Sequence, residues 1–459
     1  MFNLFGFVSL LTDSIFASAG GGGSGGGGGS GGHGGGGSIL VLIGYAPMHV
    51  LGAFIRKAKN KETEWVAGQI IAWIICIVFI VLLFIAGFHV HLLIISALAA
   101  PFGMGAGLYN WFGKIRQNKQ VKKNLASAGQ NDGTWNQDYI LSSTKNVFLK
   151  YQQDWSNYTT ESMKAYMTPT YQYHAALMIY ALQLANRRDY VEAPVIKDAV
   201  IVNMYDGTEN TQDSVIIGFT ASAKDQLIDT RNNSVLYSNN KDFTEFWQFQ
   251  RSGNNWLLNG IQPSTANKWM GNPELEQFAS SQGYYYSLDW GYLLLPSRGQ
   301  LFGEGKFGTS DINNHIIGMY KNCLVQIYTY NSSIYNNYNS KTYLIAQTYL
   351  PKSYGNIVVR HKSGLHLFGI KGLNKISMEW AQFNDKYEVF ASDVEQVTSF
   401  ELLNPVFMEH LEALPFEVNI EVADNVVYLY APEKSSKATA DRYQVMLGIL
   451  QEAFKEMRL

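Results

Sequence analysis

Hydrophobic and polar positions divide this chain sharply. From Trp65 to Gly113 there is no Asp, Glu, Lys or Arg, and a bilayer core of about 30 Å takes roughly 20 apolar helical residues per crossing. Residues 66–86 supply one such segment and residues 92–112 another, with His89 and His91 at the turn between them. The pattern predicts a helical hairpin in a membrane. A third apolar segment, residues 39–55, carries Pro47 and His49 near its middle. It reads as a further span, with an interfacial or re-entrant helix as the rival. Ala99, Gly103 and Gly107 repeat every four residues, the small-residue spacing that lets another membrane helix approach closely.

The flanks orient this region. Arg56, Lys57, Lys59 and Lys61 precede it, and Lys114, Arg116, Lys119, Lys122 and Lys123 follow. Basic residues favour the cytoplasmic side, so everything after the hairpin is expected in the cytoplasm, with Arg56, Lys57, Lys114, Arg116 and Lys119 near lipid head groups. Residues 1–19 are apolar at Phe5 to Leu11 and end in Ala17, Ser18 and Ala19, which fits either a cleaved signal or a short interfacial tail. Residues 20–38 are nearly all glycine and have too few side chains to bury.

Beyond a polar link the periodicity becomes that of a folded protein. Val147, Phe148, Tyr151 and Trp155 repeat at helical spacing, as do Met163, Tyr166 and Met167. Thr168 before Pro169 is a helix start, a capping hydroxyl followed by proline at the first position. Strands are expected at residues 195–205, 215–223, 243–251 and 255–261, the last two flanking Ser252-Gly253. Helices followed by strands read as α+β, the helices lying on one face of an antiparallel sheet. A polar helix near residues 272–281 precedes more strands at 305–307, 315–319, 323–330 and 343–350, a closing hairpin at 418–422 and 426–430, and a final amphipathic helix at 438–457.

Two resemblances attach to these motifs. Val147-Phe148-Leu149, Gln153-Asp154-Trp155, Met167-Thr168-Pro169, Phe246-Trp247-Gln248-Phe249, Asn255-Trp256-Leu257-Leu258 and Ile261-Gln262-Pro263 together resemble the Tim44-like domain over about residues 140–263. The resemblance implies the cone-shaped NTF2-like fold, helices on a curved antiparallel sheet. It also implies a tethering or lipid-contacting role, because the mitochondrial relative is a membrane-associated tether that recruits a chaperone to a translocation channel. Bacterial relatives often join this domain to a glycine-rich tract and membrane helices. Tyr387-Glu388-Val389-Phe390-Ala391-Ser392-Asp393 and Leu402-Leu403-Asn404-Pro405-Val406-Phe407-Met408-Glu409 resemble the tail of a bacterial domain-of-unknown-function family, over roughly residues 284–432. There the proline usually follows Thr; Asn404 can cap the helix equally well.

The expected class is thus an α-helical membrane anchor plus two α+β domains, the first an NTF2-like cone and the second a mixed α+β domain with antiparallel strands. Its boundaries fall at 1–19, 20–38, 39–112, 113–139, 140–264 and 265–459. Across 459 residues the net charge is −2, which gives no general pull toward nucleic acid, and none is expected as a partner. Cys76 and Cys323 are the only cysteines, too few for a disulfide framework.

Chemical motifs are sparse. Gly303, Gly305 and Gly308 form a lone G-x-G-x-x-G, but Thr309-Ser310-Asp311 leads into a strand and not into the helix that phosphate binding needs. His89 and His91 lack a carboxylate or cysteine nearby to complete a metal sphere. His174, His361, His366 and His410 stand singly among surface-like neighbours, and Cys323 reads as a small buried hydrophobe. Tyr151, Trp155, Tyr166, Trp247, Phe249 and Trp256 either pack the core of the first domain or line a pocket for a lipid tail, a peptide side chain or a small hydrophobic solute. No catalytic residue, metal or cofactor is expected. The leading expectation is a multi-pass plasma-membrane protein that binds or scaffolds, with lipid and protein partners or a second copy of itself. An enzyme of the cone-shaped fold acting on a small hydrophobic molecule, and an accessory subunit of a membrane transporter, are the alternatives.

Overall fold

The computed structural model describes residues 119–263, 272–287, 293–296, 298–304, 311–332, 341–350, 355–362, 370–392, 403–433 and 439–456. Residues 119–131 are helical. Helices α1 (Gln137–Ser156), α2 (Thr160–Met163) and α3 (Pro169–Leu184) follow. The Asn136 side chain accepts from the Tyr139 amide to cap α1, and Thr168 caps α3 ahead of Pro169. Tyr166 and Met167, expected in a helix, lie outside one. Their backbone instead pairs with the sheet: Leu258 N–H donates to Tyr166 O at 2.8 Å, and Thr168 N–H donates to Leu258 O at 2.9 Å.

The first sheet comprises β1 (Arg187–Tyr205), β2 (Ser214–Asp229), β3 (Ser234–Asn239), β4 (Phe243–Ser252) and β5 (Asn255–Pro263). It is antiparallel in the order β1-β2-β4-β5, with β3 paired to β2. Along β4, Phe243, Glu245, Trp247 and Phe249 are buried and alternate with half-exposed neighbours, the period-two signature of a half-buried strand. Phe148, Tyr151 and Trp155 from α1, and Tyr171, Ala175 and Met178 from α3, cover that buried face.

Helix α4 (Pro273–Ser281) leads into β6 (Tyr285–Ser287). A small hairpin of β7 (Arg298–Gly299) and β8 (Gly303–Glu304) precedes β9 (Asp311–Tyr320), β10 (Cys323–Ser332), β11 (Lys341–Tyr349), β12 (Asn356–His361) and β13 (Asn374–Ile376). Then come α5 (Ala381–Lys386), β14 (Tyr387–Ala391), α6 (Pro405–Glu412), β15 (Asn419–Ala423), β16 (Val426–Glu433) and α7 (Ala440–Glu456). The second sheet has nine strands in the order β13-β14-β12-β15-β16-β11-β10-β9-β6. One face carries Val325, Ile327, Leu344, Ala346 and Leu429 under α4, α6 and α7. The other carries Tyr328, Tyr330, Tyr428 and Tyr430 under Phe302 of the small hairpin region. Gly318 is a close approach: a Cβ there would stand 1.9 Å from the Tyr284 ring.

The expected class needs correction. The described fold is mixed α+β with antiparallel sheets, and no helix among the described residues is long and apolar enough to cross a membrane. Helix α1 has 20 residues, enough for a bilayer, but Asp138, Lys145, Lys150 and Asp154 interrupt it. Helix α3 has 16 residues and reaches only about 24 Å at the helical rise. A helical membrane anchor therefore forms no part of the structure described. The segments expected to supply it, with Ala99, Gly103, Gly107, Arg56, Lys57, Lys114 and Arg116, lie outside the described residues.

Candidate functional site: a buried acidic and aromatic cluster

Between α1, α3 and the first sheet, rings and carboxylates meet in the same interior. Positions 147, 151 and 155 are one helical face, which carries Tyr151 and Trp155 down onto β1, β2 and β4. Tyr151 stands edge-on to Trp247 at 5.2 Å and beside Trp155 at 5.8 Å. Phe148 packs on Phe219 and Trp247, each at 4.9 Å, and Phe249 lies 6.5 Å from Trp247. Trp256 packs separately, against Trp135 at 5.1 Å.

Three carboxylates sit among these rings: Asp189 on β1, Asp225 on β2 and Glu245 on β4, respectively 1%, 6% and 0% exposed. Indole donors hold two of them. Trp155 Nε1 donates to Asp189 Oδ2 and Trp247 Nε1 to Glu245 Oε2, both at 2.9 Å. In the β1–β2 register Asp189 faces Leu227 and Asp225 faces Val191, so the two carboxylates are diagonal neighbours on one face. Burial pushes the Asp225 carboxyl well above the usual carboxylate range, and the adjacent Asp189 raises it further. Two carboxylates this close share a proton in preference to carrying two charges. Tyr151 Oη is fully buried and makes no hydrogen bond of ordinary geometry among the described residues. Burial drives its pKa far up, with Tyr171, Tyr166, Glu245 and Asp189 adding to the effect.

Tyr166 stands at the margin of this interior. Its hydroxyl donates to Asp154 Oδ2 at 2.9 Å, and Lys150 Nζ meets the other oxygen of Asp154 at 2.6 Å. Burial and then Asp154 raise the Tyr166 pKa.

A second polar network joins the two sheets. Arg187, at the start of β1, donates to Leu293 O at 2.7 Å, and burial lowers its guanidinium to about 10. Gln347 Nε2 donates to Leu294 O at 3.1 Å and to Tyr349 Oη at 3.0 Å, while Tyr328 Oη donates to Gln347 Oε1 at 2.8 Å. His315 Nε2 lies 3.0 Å from Gln326 Oε1. His174, expected among surface-like neighbours, is 1% exposed and stacks on Tyr285 at 3.9 Å. Burial first, and His315 second, push the His174 pKa well down.

The six aromatic residues singled out from sequence thus lie in or beside one core, with Trp256 toward its far end. Asp189, Asp225, Glu245 and Tyr171 are additional. Their signal was phase: each acid occupies an inward position of a strand, Asp225 in step with Ala221, Ala223 and Leu227, and Glu245 between Phe243 and Trp247. Cys323 opens β10 half-buried, and burial raises its thiol pKa. Of the glycine motif, Gly303 belongs to a two-residue strand, and Gly305 and Gly308 lie outside the described residues, as do His89 and His91. Among the described residues no cluster of His, Cys, Asp and Glu could hold a metal ion.

Fold and interior together define a mixed α+β protein with antiparallel sheets, whose core holds buried carboxylates among aromatic rings. Residues 330–451 match a family described as "Protein of unknown function (DUF3137)". The match takes in β11, β12, β13, α5, β14, α6, β15, β16 and most of α7. Among solved structures, the chain is similar to the crystal structure of the mycobacterial trehalose monomycolate transport factor A, TtfA. The TM-score is 0.28 at 12% identity, covering 40% of this chain and 94% of that one. No curated protein matches.

Proposed function

We propose that the chain is a membrane-associated binding and scaffold protein whose Tim44-like region, residues 140–263, tethers a protein partner on the cytoplasmic side. One observation carries the reading. Strand β1 ends the order of the first sheet, paired to β2, and along it Val195, Val200 and Tyr205 are 55%, 46% and 59% exposed. A terminal strand with exposed apolar side chains is a surface that an extended segment of a partner protein can dock against. The membrane part of the reading rests on sequence, namely the uncharged residues 65–113 and their basic flanks. A photo-crosslinking residue placed at Val200 in the full-length chain, expressed in its own cells, should yield a discrete adduct in the membrane fraction. Absence of any adduct at Val200, with adducts forming elsewhere on the surface, removes the reading.

A second reading is an enzyme acting on a small hydrophobic molecule, favoured by the convergence of Asp189, Asp225, Glu245 and Tyr151. A neutral Asp225 and the Tyr151 hydroxyl would serve as donors and a charged carboxylate as base. If this holds, Tyr151→Phe keeps the fold and abolishes turnover of whatever substrate is found. Unchanged turnover in that variant ends it.

A further inference from the structure

One buried guanidinium gathers groups from three separate places in the chain. Arg251, near the end of β4, has a side chain 4% exposed. On the sheet side its Nε donates to Gly253 O at 2.8 Å and its Nη1 to Asp213 Oδ2 at 3.0 Å. Asp213 is itself held in place, its Oδ1 accepting from Gly207 N–H and its backbone O from Arg251 N–H. On the other side Nη1 donates to Asp132 Oδ2, and Nη2 donates to Thr134 Oγ1 at 3.3 Å.

Residues 119–135 lie between the uncharged stretch of the sequence and α1. Val121, Leu125 and Ala128 recur on one face of their helix and are buried in the first core, a face that leaves out Lys119, Lys122 and Lys123. Beyond the helix, Asp132 uses its two carboxylate oxygens in different directions. Oδ1 accepts from Thr134 N–H at 2.9 Å and sets the turn Gly133–Trp135, while Oδ2 accepts from Arg251. The Thr134 amide first, with Arg251 also acting against the cost of burial, holds the Asp132 carboxyl below its usual range. Trp256 faces Arg251 across β4 and β5 and grips the same turn. Its Nε1 donates to Thr134 O at 3.4 Å, and its ring meets Trp135 edge-on.

We propose that Arg251 latches residues 121–135 to the first sheet as a rigid strap, so that movement of the chain at Val121 is passed to the β4–β5 hairpin. The inference goes beyond the binding reading above and holds with or without a docked partner. Apolar burial at Val121, Leu125 and Ala128 is non-directional and lets a helix slide. A fork of donors shared between Asp132 and Asp213 does not, because its bonds are directional and charge-assisted. The buried guanidinium depends on both carboxylates, since losing either leaves charge in the interior with less to balance it. Cutting the strap's half of this network should free the strap and spare the sheet.

The test is hydrogen exchange read by mass spectrometry on the full-length chain in mild detergent. In wild type, peptides from residues 121–135 should be protected to the same degree as those from β4 and β5. Asp132→Ala removes the strap's carboxylate and leaves Arg251 bonded to Asp213 and Gly253, so the sheet keeps its own contacts. Exchange across residues 121–135 should then quicken by about tenfold to a hundredfold, the loss of a hydrogen bond to a charged group, while β4 and β5 exchange as in wild type. Arg251→Met should free the strap at least as much, and adding Asp132→Ala to it should free the strap no further, because the two residues act through one bond. A wild-type strap that exchanges like an unfolded peptide overturns the proposal. So does an Asp132→Ala strap as protected as wild type, or one whose loosening is matched in β4 and β5, which would make Arg251 a support of the whole fold and not a latch.

Discussion

Asp225 shows how one side chain can change what a strand means. The alternation along β2 places it inward with Ala221, Ala223 and Leu227, where a carboxylate loses its hydration. Its pKa is raised by burial and then by Asp189, so the folded state holds a proton that the unfolded chain has released at ordinary carboxylate pH. Such a group stabilises the fold fully below its unfolded pKa, and that contribution is lost as pH rises through the folded value. Asp225→Asn keeps the shape and stays neutral at every pH. Urea unfolding between pH 4 and pH 8 should therefore show the variant gaining on wild type as pH rises. A constant difference between the two would contradict a raised pKa. Residue-level reading of the sequence found the rings of this interior because large aromatics at helical or strand spacing announce burial. It passed over the acids, because a carboxylate normally announces the surface.

Between elements, the contacts that matter most are those where α3, β1, β9, β10 and β11 meet. His315 on β9 is fully buried, and burial lowers its pKa to about 4. The unfolded chain takes up a proton near pH 6.5, whereas the folded chain resists until about pH 4. The stability that this neutral imidazole contributes is present above the unfolded value and lost as pH falls through the window. That contribution is on the order of 3 kcal/mol. His315→Gln should flatten the acid side of the stability profile between pH 6.5 and pH 4; a profile as steep as wild type would place the acid sensitivity elsewhere. Helix starts at this scale were legible, since Thr168 and Asn404 cap helices by the chemistry that proline at the next position implies. The length of β1 was not. Its first residues, Arg187 to Tyr190, carry three charges and read as a helix end, yet they pair with residues 226–229 of β2. Pairing partners far along the chain supplied what local preference lacked.

At the scale of the whole molecule, the two sheets share one core. Leu293, Leu294, Ile317, Leu324 and Tyr349 belong to the same buried cluster as the rings of α1 and β4, Arg187 donates across to Leu293 O, and Asn425 Nδ2 donates to Leu184 O at 3.1 Å. Apolar burial that spans both sheets couples their unfolding. A single cooperative transition is expected for the folded part, and Arg187→Met, which leaves the Leu293 carbonyl unmet, should lower it by about 1–3 kcal/mol. Two resolved transitions in the wild-type chain would show the shared core to be too weak to couple the sheets.

The sequence by itself determined the local alphabet of this protein: which stretches alternate, where helices start, and that an uncharged ribbon precedes a globular part. Those features depend on neighbours a few residues apart, and a linear pattern records them. Only the tertiary structure decided that Asp189, Asp225 and Glu245 meet beneath Tyr151, that His174 and His315 lie buried together, and that β1 is the terminal strand of its sheet. Each of these depends on which distant strands pair and in what register, a choice set by long-range burial that no short window of residues contains.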